Sequence, residues 1–129
     1  MLHLLYEYRG GRIFPTETRP RDGIVSEIND LIVEISNFAA ARDWDQFHTP
    51  KNLAMAMVGE AGELVAEFQW LKPEESDLAS LSAEKLHDVE LEIADVAIYL
   101  FRLADKLNVD IAQVVREKLQ INESRFPVL

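Results

Sequence analysis

At 129 residues, with 48% hydrophobic residues and five each of glycine and proline, the chain has the make-up of one globular domain, which excludes a disordered or fibrous protein. A formal charge of -10 argues against a general nucleic-acid binder, because affinity for a phosphate backbone comes from Lys and Arg. The absence of cysteine excludes disulfides, thiolate metal sites and a cysteine nucleophile, so any metal must be held by oxygen or imidazole. No run of about 18 apolar residues marks a membrane span, and the N-terminus lacks the apolar region and cleavage site of a signal peptide. A cytoplasmic protein with no membrane partner is expected.

Residues 1–22 read as an N-terminal extension and residues 23–129 as one domain. In the extension, "LLYEYRGGRIF" sets two short apolar and aromatic runs around Gly10-Gly11, the pattern of a β-hairpin, with a mobile tail as the alternative. Arg9, Arg12, Arg19 and Arg21 make it the basic segment of the chain. No role is assigned to it.

From residue 24 onward the spacing predicts helices. Ile24, Ile28, Leu31, Ile32, Ile35 and Phe38 form one broad apolar face of helix one. Thr49 followed by Pro50 is an N-cap with proline at the first helical position, which starts a second helix running to about Trp70. Lys72 to Leu81 is a polar connection, and Ser82 caps a third helix reaching about Leu107. There Leu86, Val89, Ile93, Val96, Leu100, Leu103 and Leu107 alternate steps of three and four. Asn108 closes that helix in a left-handed conformation. Asp110, with Gln113 three residues on, caps a shorter fourth helix to about Asn122.

Two of these helices carry acid-only clusters. On helix two Leu53, Met57, Glu60, Leu64 and Glu67 follow one stripe with Glu63 beside it, so an apolar seam turns acidic without changing face. Helix three runs Asp88, Glu92, Asp95 and Tyr99 beside its leucine seam, while Arg102 and Lys106 further along read as an ordinary exposed face. A solvated face usually mixes signs, since like charges at i, i+4 cost about 0.2 to 0.5 kcal/mol a pair. Either cluster alone would pass for such a face. If the two helices pack antiparallel, however, four carboxylates converge across a groove and repel one another unless a cation joins them. Oxygen ligands select hard cations, so Mg²⁺ is expected, with Mn²⁺ a substitute. A di-iron centre is disfavoured because no histidine follows Glu60, Glu63, Glu92 or Asp95 in the Glu-x-x-His spacing.

Glu60-x-x-Glu63 followed in the next long helix by Glu92-x-x-Asp95 resembles the metal-binding signature of the MazG-like, all-α nucleoside triphosphate pyrophosphohydrolases. "FAAARDWDQFHTPKNLAMAMVGEAGELVAEFQW", "EIADVAIYLFRLADKLNVD" and "KLQINESRFP" resemble segments of the dCTP pyrophosphatase branch, a likeness covering roughly residues 24–128. The resemblance implies an all-α, four-helix, oligomeric bundle, a dimer or a dimer-of-dimers tetramer, and of the two the tetramer is expected. It implies hydrolysis of a nucleoside triphosphate to monophosphate and pyrophosphate, with Glu60, Glu63, Glu92 and Asp95 holding Mg²⁺. One glutamate, Glu63 first, would serve as general base. Trp44, His48, Trp70, Tyr99, Lys118, Asn122 and Arg125 match the branch's nucleotide-binding positions. Without the resemblance, periodicity favours helix-end packing for both tryptophans and a solvated place for Lys118.

His3 and His87 have no partner at metal spacing and read as surface residues. Ile35 stands where some relatives of the branch carry a histidine near the base, and an apolar wall rejects a wrong base less strongly than a dedicated hydrogen bond does. A deoxycytidine preference is therefore weighed against a broad dNTP or dUTP hydrolase. A non-catalytic helical interaction module is the rival outside enzymes.

Overall fold

The computed structural model describes the backbone of residues 6–9, 12–15 and 23–128 and the side chains of residues 27–128. Two short strands, β1 (Tyr6–Arg9) and β2 (Arg12–Pro15), pair antiparallel with Tyr6 opposite Pro15 and Arg9 opposite Arg12. The rest of the N-terminal extension lies outside the described residues, as does His3. Four α-helices follow among the described residues: α1 (Gly23–Ala40), α2 (Pro50–Phe68), α3 (Ala83–Lys106) and α4 (Ile111–Arg125). None is long and apolar enough to cross a membrane.

Local chemistry accounts for the helix ends. Thr49 Oγ1 accepts from Asn52 N at 3.2 Å, Ser82 Oγ from Lys85 N at 3.1 Å and Asp110 Oδ1 from Gln113 N at 3.0 Å, which satisfies amides with no partner inside their own helix. Asn108 takes a positive φ of 53°, and the next amide, Val109 N, donates back to Ala104 O at 2.8 Å. Asp43, with φ 56°, turns the chain after α1 while the Gln46 amide donates to its carbonyl and carboxylate. α4 runs three residues past the expected end near Asn122, to Arg125, and stops two residues before Pro127. α2 ends at Phe68, two residues short of Trp70.

The chain packs as two units, His48–Leu103 in one and Met1–Phe47 with Ala104–Leu129 in the other. Within the first, Leu53 of α2 is 1% exposed and Val89 of α3 is buried as well. Three contacts at successive heights run α2 and α3 antiparallel there: Glu67 with Lys85, Glu60 and Glu63 with Glu92, and His48 with Arg102. Within the second unit, Ile32, Ser36 and Ala39 share one buried face of α1.

The apolar line of α3 is covered along one flank only. Val89 is buried and Leu86, Val96 and Leu103 are half-buried, but Ile93, Leu100 and Leu107, seven residues apart, are exposed. Arg102 corrects the expectation of an exposed face at this end of the helix, being 3% exposed. Lys106 is tied down too, donating to Asp45 Oδ1 at 2.8 Å.

Candidate metal centre

α2 presents Glu60 and Glu63, and α3 presents Glu92 and Asp95, each pair three residues apart and so on one side of its helix. Antiparallel packing brings one carboxylate oxygen each of Glu60, Glu63 and Glu92 within 4.8 Å of one another. Glu60 and Glu92 are half-buried and Glu63 is exposed. Asp95 is exposed and stands outside this group of three, yet its charge acts on both Glu60 and Glu92.

The carboxylates of the cluster act on one another. Glu60 has its pKa pushed up by burial first, then by the charges of Asp95 and Glu63. Glu92 is pushed up by burial first, then by Glu63, Asp95, Glu60 and Glu67. Glu92 Oε2 is buried with no hydrogen-bond partner, which a folded chain ordinarily avoids because a lone carboxylate oxygen away from water is costly. A divalent cation would supply the missing ligand contact and relieve the mutual repulsion, and an all-oxygen donor set suits a hard ion. The residues present therefore fit such an ion.

The other residues singled out from the sequence divide between the two units. In the unit of the acid cluster, Tyr99 is half-buried one turn beyond Asp95, and Trp70 is 87% exposed just past the end of α2. His48 Nδ1 accepts from Arg102 Nε at 3.2 Å. Trp44, Lys118, Asn122 and Arg125 belong to the other unit. There the Trp44 ring meets Phe38 edge-on at 5.7 Å between centroids, and the Arg42 guanidinium lies 3.4 Å from the centre of the Phe38 ring. Lys118 is exposed, Asn122 is half-buried with its carbonyl accepting from Phe126 N, and Arg125 sits 5.3 Å from the Phe126 ring. His87 is exposed beside Glu90.

Two pairings in this unit were not foreseen from the sequence. Lys85 pairs with Glu67, and Arg102 is buried against His48.

The sequence model of the MazG-like family matches residues 56–129, more than half of the chain and all of the acidic signature. The chain belongs to the MazG-like family. Within it, the chain is 44% identical over 93 residues to dCTP pyrophosphatase 1 from Bos taurus and 44% identical over 92 residues to the Homo sapiens protein of that name. Those matches cover 72% and 71% of this chain but only 55% and 54% of the relatives, so the chain spans about half of their length. The crystal structure of a pyrophosphatase from Archaeoglobus fulgidus superposes with a TM-score of 0.71 at 33% identity, covering 87% of this chain and 100% of that one. The all-α reading of the MazG-like domain and the resemblance drawn from its acidic signature both hold.

Proposed function

We propose that the chain is a Mg²⁺-dependent nucleoside triphosphate pyrophosphohydrolase that cleaves between the α and β phosphates, releasing monophosphate and pyrophosphate. The observation that carries the reading is the meeting of Glu60, Glu63 and Glu92, with one Glu92 oxygen buried and lacking a hydrogen-bond partner. Glu60, Glu92 and Asp95 would hold the ion together with Glu63. When bound, Mg²⁺ offsets the repulsion between carboxylates and phosphate oxygens and orients the phosphorus for in-line attack. Glu63, exposed within the group of three, would also take a proton from the attacking water. Tyr99 would meet the phosphates, and Trp70 offers a flat face for a base.

The names of the mammalian relatives favour dCTP as the substrate, and with it we infer action on modified dCTP and a housecleaning role in the cytoplasmic nucleotide pool. Ile35 favours a wider choice among dNTPs, dUTP included, because a half-buried apolar residue has no hydrogen bond with which to select a base. The exposed flank of α3 and the exposed Met55, Val58 and Val65 of α2 favour burial against further copies of the chain, a tetramer before a dimer, which analytical ultracentrifugation reads.

The test of the reaction is anion-exchange analysis of products from a panel of standard, methylated and oxidised dNTPs with Mg²⁺, repeated with Glu63→Gln. Monophosphate and pyrophosphate, lost in the variant, are expected. No turnover of any nucleotide would leave the non-catalytic module as the better reading.

A further inference from the structure

Glu67 closes the acidic run of α2, one helical turn beyond Glu63 and on the stripe that holds Glu60. The rise from Glu63 to Glu67 is about 6 Å, a gap that a long, flexible side chain can narrow by changing rotamer. The charge of Glu67 acts on Glu92 of the facing helix, yet Glu67 stands outside the group formed by Glu60, Glu63 and Glu92. Its carboxylate is engaged elsewhere: the Lys85 ammonium donates to Glu67 Oε2, and both side chains are half-buried. Lys85 lies seven residues before Glu92 on the same face of α3, and no other lysine or arginine stands on that helix before Arg102. On α2 there is none after Lys51. Lys85 is thus the cation that the two helices themselves supply at this height.

A hard ion such as Mg²⁺ takes an octahedral shell of oxygens and keeps part of it for waters and substrate phosphates. Each protein carboxylate added to that shell takes a place from one of them. A carboxylate released one turn from a gathered cation is drawn toward it, because the attraction at close range exceeds the cost of a rotamer change.

We propose that Lys85 is a positioning residue that holds Glu67 out of the cation's ligand shell, so that an ion gathered by Glu60, Glu63 and Glu92 keeps open positions for the phosphate oxygens of a nucleoside triphosphate. The inference rests on the cation and triphosphate reading above. Lys85 acts through Glu67 and touches neither the ion nor the substrate.

Mn²⁺ in place of Mg²⁺ makes the shell visible: electron spin echo measurements in heavy water count the waters on the bound ion without any turnover. Lys85→Met is expected to lose about one water and to bind Mn²⁺ about 10-fold more tightly. Adding Glu67→Gln restores the wild-type count, and Glu67→Gln alone leaves it unchanged. Loss of the lysine charge by itself also tightens cation binding, so the count and not the affinity decides. An unchanged count in Lys85→Met overturns the proposal, as does a loss that persists in the double variant. A gain of a water in Glu67→Gln alone overturns it too, because Glu67 would then already be a ligand. In turnover, Lys85→Met raises KM for the triphosphate and the double variant restores it; a rise that is not restored counts against the proposal. Lys85→Ala takes the place of Lys85→Met if that variant does not fold. Absence of Mn²⁺ binding by the wild type sinks the metal reading and this proposal with it, whereas wild-type binding with no change of count in Lys85→Met sinks this proposal alone.

Discussion

Lys85, in the first turn of α3, pairs its ammonium with the carboxylate of Glu67, one helical turn beyond Glu63 on α2. A lysine at a helix N-terminus faces the wrong end of the helix dipole. Its place is explained by the partner: Glu67 is close enough for its charge to act on Glu92, and Lys85 offsets that charge at the edge of the acid cluster.

Lys85→Met should therefore destabilise the metal-free protein. The two side chains keep 34% and 23% exposure, so the screened pair contributes at most about 1 kcal/mol. In EDTA the variant is expected to melt about 2 to 4 °C lower, and adding Glu67→Gln should recover most of the loss. Circular dichroism melts check this; an unchanged Tm in Lys85→Met would show that the pair does not moderate the cluster.

Glu60 and Glu92 hold their protons above the ordinary carboxyl value of 4.5. As pH rises past that value the native chain binds more protons at these sites than the unfolded chain does. The linkage slope from them is negative, and their contribution to metal-free stability falls until both have ionised. A divalent cation acts the other way, favouring the ionised forms. In EDTA, the Tm of Glu92→Gln minus that of wild type should grow from about pH 5 upward, since the glutamine cannot ionise. Changes to groups behind a metal ligand already cost about 10- to 100-fold in affinity, so the same variant should lose more than about 100-fold in Mg²⁺ binding by calorimetry. A difference that shrinks with pH would contradict the assignment.

Trp70 is too exposed to contribute much to the core. Trp70→Ala should leave stability within about 0.5 kcal/mol while weakening nucleotide binding by about 1 to 3 kcal/mol, roughly 5- to 150-fold. Urea unfolding and KM measured side by side separate the two effects. A fall in stability with unchanged KM would make Trp70 a packing residue.

Gly62 stands in the middle of α2, where a Cβ would meet nothing within 4 Å. Glycine at such a position costs roughly 0.5 to 1 kcal/mol relative to alanine. Gly62→Ala should raise urea-unfolding stability by about that amount; a destabilised variant would mean that another chain comes close to this glycine.

The helices were legible because their ends carry their own chemistry: Thr49-Pro50, Ser82, Asn108 and Asp110 each act locally, and each does so here. The acid cluster was legible for a related reason. An apolar stripe that turns acidic at Glu60 without changing face conflicts with ordinary helix patterning, and the antiparallel pairing of α2 and α3 gives that conflict a cause. Arg102 was not legible as a buried group, because a charged residue near a helix end is usually solvent-facing, and only its partner across the hairpin, His48, fixes its place. The separate standing of Asp95 was hidden as well. Spacing puts it on the same side of α3 as Glu92, but how far its shorter side chain reaches is decided by the packing of the two helices.

The central claim is that carboxylates on α2 and α3 gather a cation for cleavage between the α and β phosphates. Phosphorus NMR of a dCTP solution with the protein and Mg²⁺ tests it most directly, because every product appears as its own resonance. The account predicts dCMP and pyrophosphate in equal amounts, with no reaction in EDTA or with Glu63→Gln. Release of orthophosphate with dCDP would place the cut at a different bond and contradict it, as would a spectrum that never changes.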